Sequence, residues 1–125
     1  MAKILVMDDE KIIRIIIQRF LEKAGHEVTL AEDGKIGMDY LCSNYYDLVI
    51  TDIIMPNQEG LETIRQLRKD FPDLKIIAMS GGGKVGPIDY LSLAERFGAH
   101  ATYLKSSDWD SLVELTEKIL SGEND

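Results

Sequence analysis

Five short runs of mostly apolar residues alternate with longer segments that have helical spacing, and this alternation constrains the chain more than any other feature. The runs are Ile4–Met7, Val28–Ala31, Leu48–Thr51, Ile76–Met79 and Ala101–Leu104. Nearly continuous apolar runs of this length are typical of strands that are buried on both faces of a parallel sheet. The alternation therefore predicts an α/β fold in which helices cover both sides of the sheet.

The segments between the runs carry their own helix signals. From Glu10 to about Ala24, isoleucine, phenylalanine and leucine recur four residues apart, and Gly25 supplies the stop. Right-handed crossovers between five parallel strands favour the order 2-1-3-4-5, a flavodoxin-like, doubly wound arrangement. Two more helices are predicted before the fourth strand: a short one after Asp33-Gly34, and one whose inner face carries Leu61, Ile64 and Leu67. Another runs from Pro87 to Phe97. The last helix is predicted to begin at a capping box formed by Ser107 and Asp110.

Length and charge restrict the function classes. A chain of 125 residues is expected to form one domain over 1–125, with a core from about 3 to 121. The net charge of −8 repels phosphate backbones and anionic lipids, which argues against nucleic-acid and membrane partners. Cys42 is the only cysteine, and there is no signal-peptide pattern, so we expect a cytoplasmic protein.

The polar side chains that end four of the strands are the candidate functional residues. The first strand stops at Asp8 and Asp9, the third at Asp52, the fourth at Ser80 and the fifth at Lys105. In open α/β sheets, ligands bind beyond the carboxyl ends of the strands, where the strand order reverses. In the order 2-1-3-4-5 that point lies between the first and third strands. We therefore expect Asp8, Asp9 and Asp52 to converge there, with Ser80 and Lys105 along the same edge.

This set of residues indicates a particular chemistry. Three carboxylates within a few ångströms repel one another, so either one holds a proton or a cation lies among them. Mg²⁺ is the expected cation, because it accepts few carboxylates and keeps several waters. Asp52 is then the nucleophile, Lys105 adds a positive charge and Ser80 a hydroxyl donor. The pattern favours phosphoryl transfer to Asp52 with an aspartyl-phosphate product.

At this point the chain resembles the receiver domain of two-component response regulators, from about Lys3 to Leu120. The resemblance is carried by the strand-end residues above, by Met55-Pro56 and Gly60 after Asp52, and by Gly98-Ala99 before Lys105. It implies that Asp52 accepts a phosphoryl group from a histidine kinase or phosphotransfer protein. It also implies that Asp9, Asp52 and the backbone carbonyl of Ile54 bind Mg²⁺, with Asp8 helping through water.

The resemblance further implies a signalling role. Lys105 would hold the acyl phosphate, and Ser80 would swing to the phosphate and pull its loop inward. A downstream protein would bind the face made by the fourth helix, fifth strand and fifth helix. The chain would be a stand-alone phosphoacceptor, since it ends soon after the last helix, and not an enzyme beyond assisting its own phosphorylation and dephosphorylation.

Two positions and one segment depart from the family pattern. The aromatic switch residue is expected at Thr102, but the aromatic residue is Tyr103, and on a strand one residue changes the face. Ser106 stands where a proline usually follows the lysine. The stretch from Gly81 to Pro87 is glycine-rich and longer than usual, so we expect residues 81–90 to carry the signal.

Two other function classes stay open. One is a Mg²⁺-dependent phosphatase that also forms an aspartyl-phosphate, although Ile54 stands where such an enzyme needs a second carboxylate. The other is a flavodoxin-like interaction domain without phosphorylation, which Thr102 and Ser106 keep in play. Outside the site, His26 and His100 are interpreted as surface histidines, and Cys42 as a small packing residue.

Overall fold

The computed structural model describes residues 1–53, 60–81, 90–105 and 108–122, apart from the side chains of residues 60 and 90–93. Strands and helices alternate along these residues, as predicted. The strands are β1 (Lys3–Met7), β2 (Glu27–Ala31), β3 (Leu48–Asp52), β4 (Lys75–Ser80) and β5 (Ala101–Leu104). The helices are α1 (Lys11–Lys23), α2 (Gly34–Ser43), α3 (Gly60–Asp70), α4 (Tyr90–Phe97) and α5 (Trp109–Leu120).

The strands form one parallel sheet in the order β2-β1-β3-β4-β5, which confirms the predicted topology. β1 pairs with β2 on one side and β3 on the other, so the strand order reverses at β1. Met7 is in register with Thr51, the residue before Asp52. The last residues of β1 and β3 therefore lie side by side at the carboxyl edge of the sheet.

The sheet separates two hydrophobic cores, because successive strand residues point to opposite faces. Leu5 and Val49 face α2, α3 and α4, whereas Ile4 and Ile50 face α1 and α5. All four side chains are fully buried. Burial on both faces explains why the strands are apolar at nearly every position, and it leaves the strand ends as the place for polar groups.

The close packing of α2 on β1 depends on one glycine. A Cβ at Gly37 would lie 2.8 Å from Met7 Cγ and would overlap Met7 Sδ. Met7 is fully buried and directly precedes Asp8. Gly37 thus lets α2 approach the strand that carries the acidic pair.

Two helix predictions need correction. The N-cap of the last helix is Asp108, one residue after the predicted cap Ser107. The Asp108 carboxylate accepts a hydrogen bond from the Ser111 amide at 3.3 Å. Ser107 itself lies outside the described residues, as does Pro87 of the fourth helix. In α1 the buried residues are Ile17 and Leu21, whereas Ile12, which begins the predicted four-residue repeat of apolar residues, is 71% exposed.

Two single-residue interpretations were wrong. His26 is a buried residue: its Nδ1 accepts a hydrogen bond from the Ala2 amide and its Nε2 pairs with Glu117 of α5. It therefore joins the start of β1 to the last helix. Cys42 is exposed on the outer side of α2 and does not pack in the core.

His100 is exposed, as interpreted from the sequence, and contacts Arg68. No helix within the described ranges is both long and apolar enough to cross a membrane.

Candidate functional site

The acidic residues predicted to converge do so at the carboxyl edge of the sheet. Each of Asp8, Asp9 and Asp52 offers a carboxylate oxygen, and the three oxygens lie within 4.8 Å of one another. Asp8 is fully buried, Asp52 is buried and Asp9 is exposed. Because β1 and β3 are neighbours, the cluster follows directly from the strand order.

The position of Asp8 is fixed by contacts to three elements. Its amide donates to the Ala31 carbonyl at 3.1 Å, at the end of β2. Its carbonyl accepts a hydrogen bond from Arg14 Nη1 at 2.7 Å, and its Oδ1 accepts one from the Glu10 amide at 2.9 Å. Oδ2 is buried and has no well-directed hydrogen bond within the described part of the chain. That oxygen lies 2.6 Å from Lys105 Nζ, which is an ion-pair contact.

Lys105 reaches the cluster from the end of β5. Its amide donates to the Ser80 carbonyl at 2.8 Å, which holds the strand end against β4. Its Nζ lies 2.6 Å from Asp8 Oδ2, 3.1 Å from Asp52 Oδ2 and 3.6 Å from Glu10 Oε1. The side chain is 8% exposed, so the ammonium is largely removed from water. One buried cation therefore neutralises part of the acidic cluster.

Burial and charge shift the pKa values of this pair. Desolvation raises the pKa of Asp8 above its ordinary value, although Lys105 and the Glu10 amide oppose the shift. For Lys105, desolvation lowers the pKa, but the carboxylates of Asp8 and Asp52 more than offset it, so the pKa is raised. Lys105 is therefore charged at neutral pH, and Asp8 resists ionisation more than an exposed aspartate does.

The donor set fits a magnesium ion. Carboxylate oxygens are the ligands that Mg²⁺ prefers, and it uses one or two of them together with waters. The buried Asp8 Oδ2 has the character of a ligand atom, because it is shielded from solvent and already lies against a cation, the Lys105 ammonium, at 2.6 Å. Asp9, the exposed member of the cluster, leaves one side open to solvent. Ile54, whose carbonyl was predicted as a further ligand, lies outside the described residues.

The remaining predicted site residues lie on β4 and β5. Ser80 ends β4, is half-buried, and its hydroxyl donates to the Gly81 carbonyl at 3.2 Å. Tyr103 is buried in the α1 and α5 core, where its hydroxyl donates to the Asp108 carbonyl at 2.6 Å. Thr102, one residue earlier, is half-buried and faces the opposite side of the sheet. Ser106 and most of the 81–90 segment, residues 82–89, lie outside the described residues.

Two residues near the site were not predicted from the sequence. Glu10 was interpreted only as the start of a helix, yet its carboxylate lies 3.6 Å from Lys105 Nζ. Arg14 lies one turn along α1 and bonds the Asp8 carbonyl. The sequence could have indicated both residues. Glu10 directly follows the acidic pair and Arg14 comes one helical turn later, so both lie at the end of α1 that faces the pair.

Comparisons with known proteins identify the family. The family model for the response regulator receiver domain matches residues 4–117. The DNA-binding transcriptional regulator NtrC of Azospirillum brasilense is 36% identical over 120 residues, which cover 96% of this chain and 24% of NtrC. The response regulator ArlR of Staphylococcus saprophyticus is 39% identical over 123 residues, which cover 96% of this chain and 53% of ArlR.

Solved structures agree with these matches. The response regulator TrrA of Thermotoga maritima, in complex with Mg²⁺-BeF, has a TM-score of 0.83 and 35% identity, covering 95% of this chain and 99% of TrrA. NtrX of Brucella abortus has a TM-score of 0.89 and 30% identity, covering 98% of this chain and 27% of NtrX.

The chain spans about a quarter to about half the length of the curated relatives that it matches. They therefore do not support the expectation that the receiver acts alone. The fold, the acidic cluster and the match over nearly the whole chain lead to one conclusion: the chain belongs to the response regulator receiver domain family of two-component signalling systems.

Proposed function

We propose that Asp52 accepts a phosphoryl group from a sensor histidine kinase or a phosphotransfer protein, in a reaction that depends on Mg²⁺. The observation that carries the proposal is the position of Asp52: its carboxylate belongs to the acidic cluster, and its Oδ2 lies 3.1 Å from Lys105 Nζ. A nucleophile beside a cation site and a buried ammonium suits phosphoryl transfer, which depends on positioning and charge neutralisation.

In the proposed reaction, a carboxylate oxygen of Asp52 attacks the phosphorus of a phosphohistidine donor. The new O–P bond forms as the P–N bond breaks. The electron pair of the P–N bond stays on the imidazole nitrogen, which takes up a proton. Asp8, Asp9, Asp52 and the Ile54 carbonyl are the residues that would hold Mg²⁺. The ion, when bound, supplies charge neutralisation at the phosphoryl oxygens. Lys105 keeps its ammonium beside Asp52 and stabilises the acyl phosphate.

Ser80 is the proposed link from the phosphate to the rest of the domain. Its hydroxyl now donates to the Gly81 carbonyl, so a phosphoryl acceptor on Asp52 would compete for the same donor. Turning the hydroxyl would release Gly81 at the start of the 81–90 segment. Tyr103 is packed on the α1 and α5 side and bonded to Asp108, which supports a signal through this segment instead of an aromatic rotamer facing α4.

The proposed output surface is the face formed by α4, β5 and α5, where a downstream protein would bind. Leu104 of β5 is 55% exposed, which places an apolar side chain at the edge of the sheet on this face.

Hydrogen exchange with and without phosphorylation tests the proposed link from Ser80 to residues 81–90. Unchanged exchange over residues 81–90 would refute the proposed route.

The primary test is intact mass after incubation with acetyl phosphate and Mg²⁺. We expect one phosphoryl adduct that requires Mg²⁺ and is absent from Asp52→Asn. Asp110→Asn is the matched control, because it removes an exposed aspartate of α5 that does not belong to the acidic cluster. It should be phosphorylated like the wild type. A donor of the kinase type follows if the small donor fails.

The same experiment separates the alternatives. Continuous release of phosphate, with no lasting adduct, would favour the aspartyl-phosphate phosphatase. No adduct with any donor, together with no Mg²⁺ binding, would favour an interaction domain that works without phosphorylation.

A further inference from the structure

Among the residues that the structure describes, three carboxylates lie within 4 Å of Lys105 Nζ, and they are not equivalent. Asp8 and Asp52 belong to the acidic cluster that fits a metal ion, whereas Glu10 does not. The nearest contact is to Asp8 at 2.6 Å and the farthest is to Glu10 at 3.6 Å. The ammonium thus lies closest to a residue that a metal would also use.

A divalent cation and the ammonium compete for this position. Both are attracted to the oxygens of Asp8 and Asp52, and they repel each other at short distance in a partly buried site. When a metal binds the cluster, Lys105 must therefore weaken its contact with Asp8. Among the described residues, Glu10 is the partner of Lys105 that lies outside the metal cluster.

The local structure of Glu10 suits this exchange. Glu10 is the N-cap residue of α1, but its side chain makes no capping hydrogen bond. Its amide donates to Asp8 Oδ1 at 2.9 Å and its carbonyl accepts from the Arg14 amide at 3.0 Å, so the backbone is fixed. The side chain is 64% exposed, so its carboxylate has room to follow the ammonium.

We propose that Glu10 is a positioning residue for Lys105: it keeps the ammonium beside Asp52 when a metal ion takes over Asp8. The inference rests on the proposed Mg²⁺ site. It adds Glu10 to the three carboxylates of that site as a residue that positions Lys105. Glu10 acts on the metal only through Lys105. A tighter contact between Glu10 and the Lys105 ammonium compensates for the weakened contact with Asp8, and this favours the metal-bound state.

Mg²⁺ binding measured by isothermal titration calorimetry tests this role. The proteins are the wild type, Glu10→Gln, Lys105→Met and the double variant. Glu22→Gln is the control, because it removes the same charge from an exposed site near the far end of α1. We expect Glu10→Gln to weaken Mg²⁺ binding about threefold in the wild-type background, the range of a partly exposed ion pair. In the Lys105→Met background the same change should have a clearly smaller effect.

Three results would overturn the inference, and they are distinguishable. An equal factor in both backgrounds would make Glu10 only a neighbouring charge or a direct ligand. Tighter binding by Glu10→Gln would show that the contact belongs to the metal-free state. No Mg²⁺ binding by the wild type would remove this inference together with the metal part of the proposed function. Lys105→Gln replaces Lys105→Met if circular dichroism shows that the latter does not fold.

Discussion

The close approach of α2 to β1 predicts that Gly37→Ala destabilises the protein, although alanine is the better helix former. Two effects oppose each other. Replacing a helical glycine by alanine favours the folded state by about 1 kcal/mol. The added Cβ overlaps Met7 Sδ and lies 2.8 Å from Met7 Cγ. Because Met7 is fully buried, its side chain cannot move without displacing neighbours, and overpacking of this kind costs about 1–3 kcal/mol.

The expected net result is a loss of about 1 kcal/mol in the free energy of unfolding, which corresponds to a fall of about 4 °C in Tm for a domain of this size. Urea and thermal unfolding followed by far-UV circular dichroism measure both quantities. The Met7→Ala background is the control, because it removes the overlapping atoms. There Gly37→Ala should stabilise the protein, so the sign of its effect should reverse. Stabilisation in the wild-type background would refute the reasoning, since α2 would then be free to move away from β1.

Three further predictions concern stability. Asp8→Asn should raise the free energy of unfolding at pH 7. Burial raises the pKa of Asp8, so the folded state holds this proton more tightly than the unfolded state does. The folded wild type therefore loses stability as the pH rises from 3.8 through that raised pKa. Urea titrations at pH 4 and pH 7 should show a smaller fall in the variant than in the wild type. Asp108→Ala removes the N-cap of α5 and should cost about 1 kcal/mol in the same assay, whereas no change would mean that the cap is dispensable. Arg68→Met should cost about 2 kcal/mol, because Arg68 donates to the carbonyls of Gly98 and Pro72, and an equal cost for the largely exposed Arg65→Met would contradict this.

The sequence predicts the sheet and the place of the site because both depend on strong, repeated signals. Strands buried on two faces must be apolar throughout, so the polar residues that end them stand out. The order of the strands then brings Asp8 and Asp52 to adjacent strand ends. These steps need only the side-chain pattern and the topology, which is why the acidic cluster was predictable residue by residue.

Contacts that depend on side-chain reach were not predictable in the same way. His26 follows a helix-ending glycine and resembles a surface residue, but the approach of α5 buries it against Glu117. Cys42 is on a helix whose inner face is set by Gly37 and Leu41, so it points outward. The contact of Glu10 with Lys105 joins residues 95 positions apart. Such pairs depend on the relative position of whole elements, which a local pattern does not contain.

The junction between β5 and α5 contains a built-in optical reporter. Trp109 is the only tryptophan of the chain, and its ring centroid lies 5.9 Å from that of Tyr103. It is 8% exposed, so its emission depends on the packing of this one buried place. Lys105 lies between the two aromatic residues in the sequence. A displacement of the end of β5, which precedes Lys105, would alter the distance and orientation of the two rings. We therefore expect tryptophan fluorescence of the unlabelled protein to change when Asp52 is phosphorylated, through the end of β5 next to Lys105.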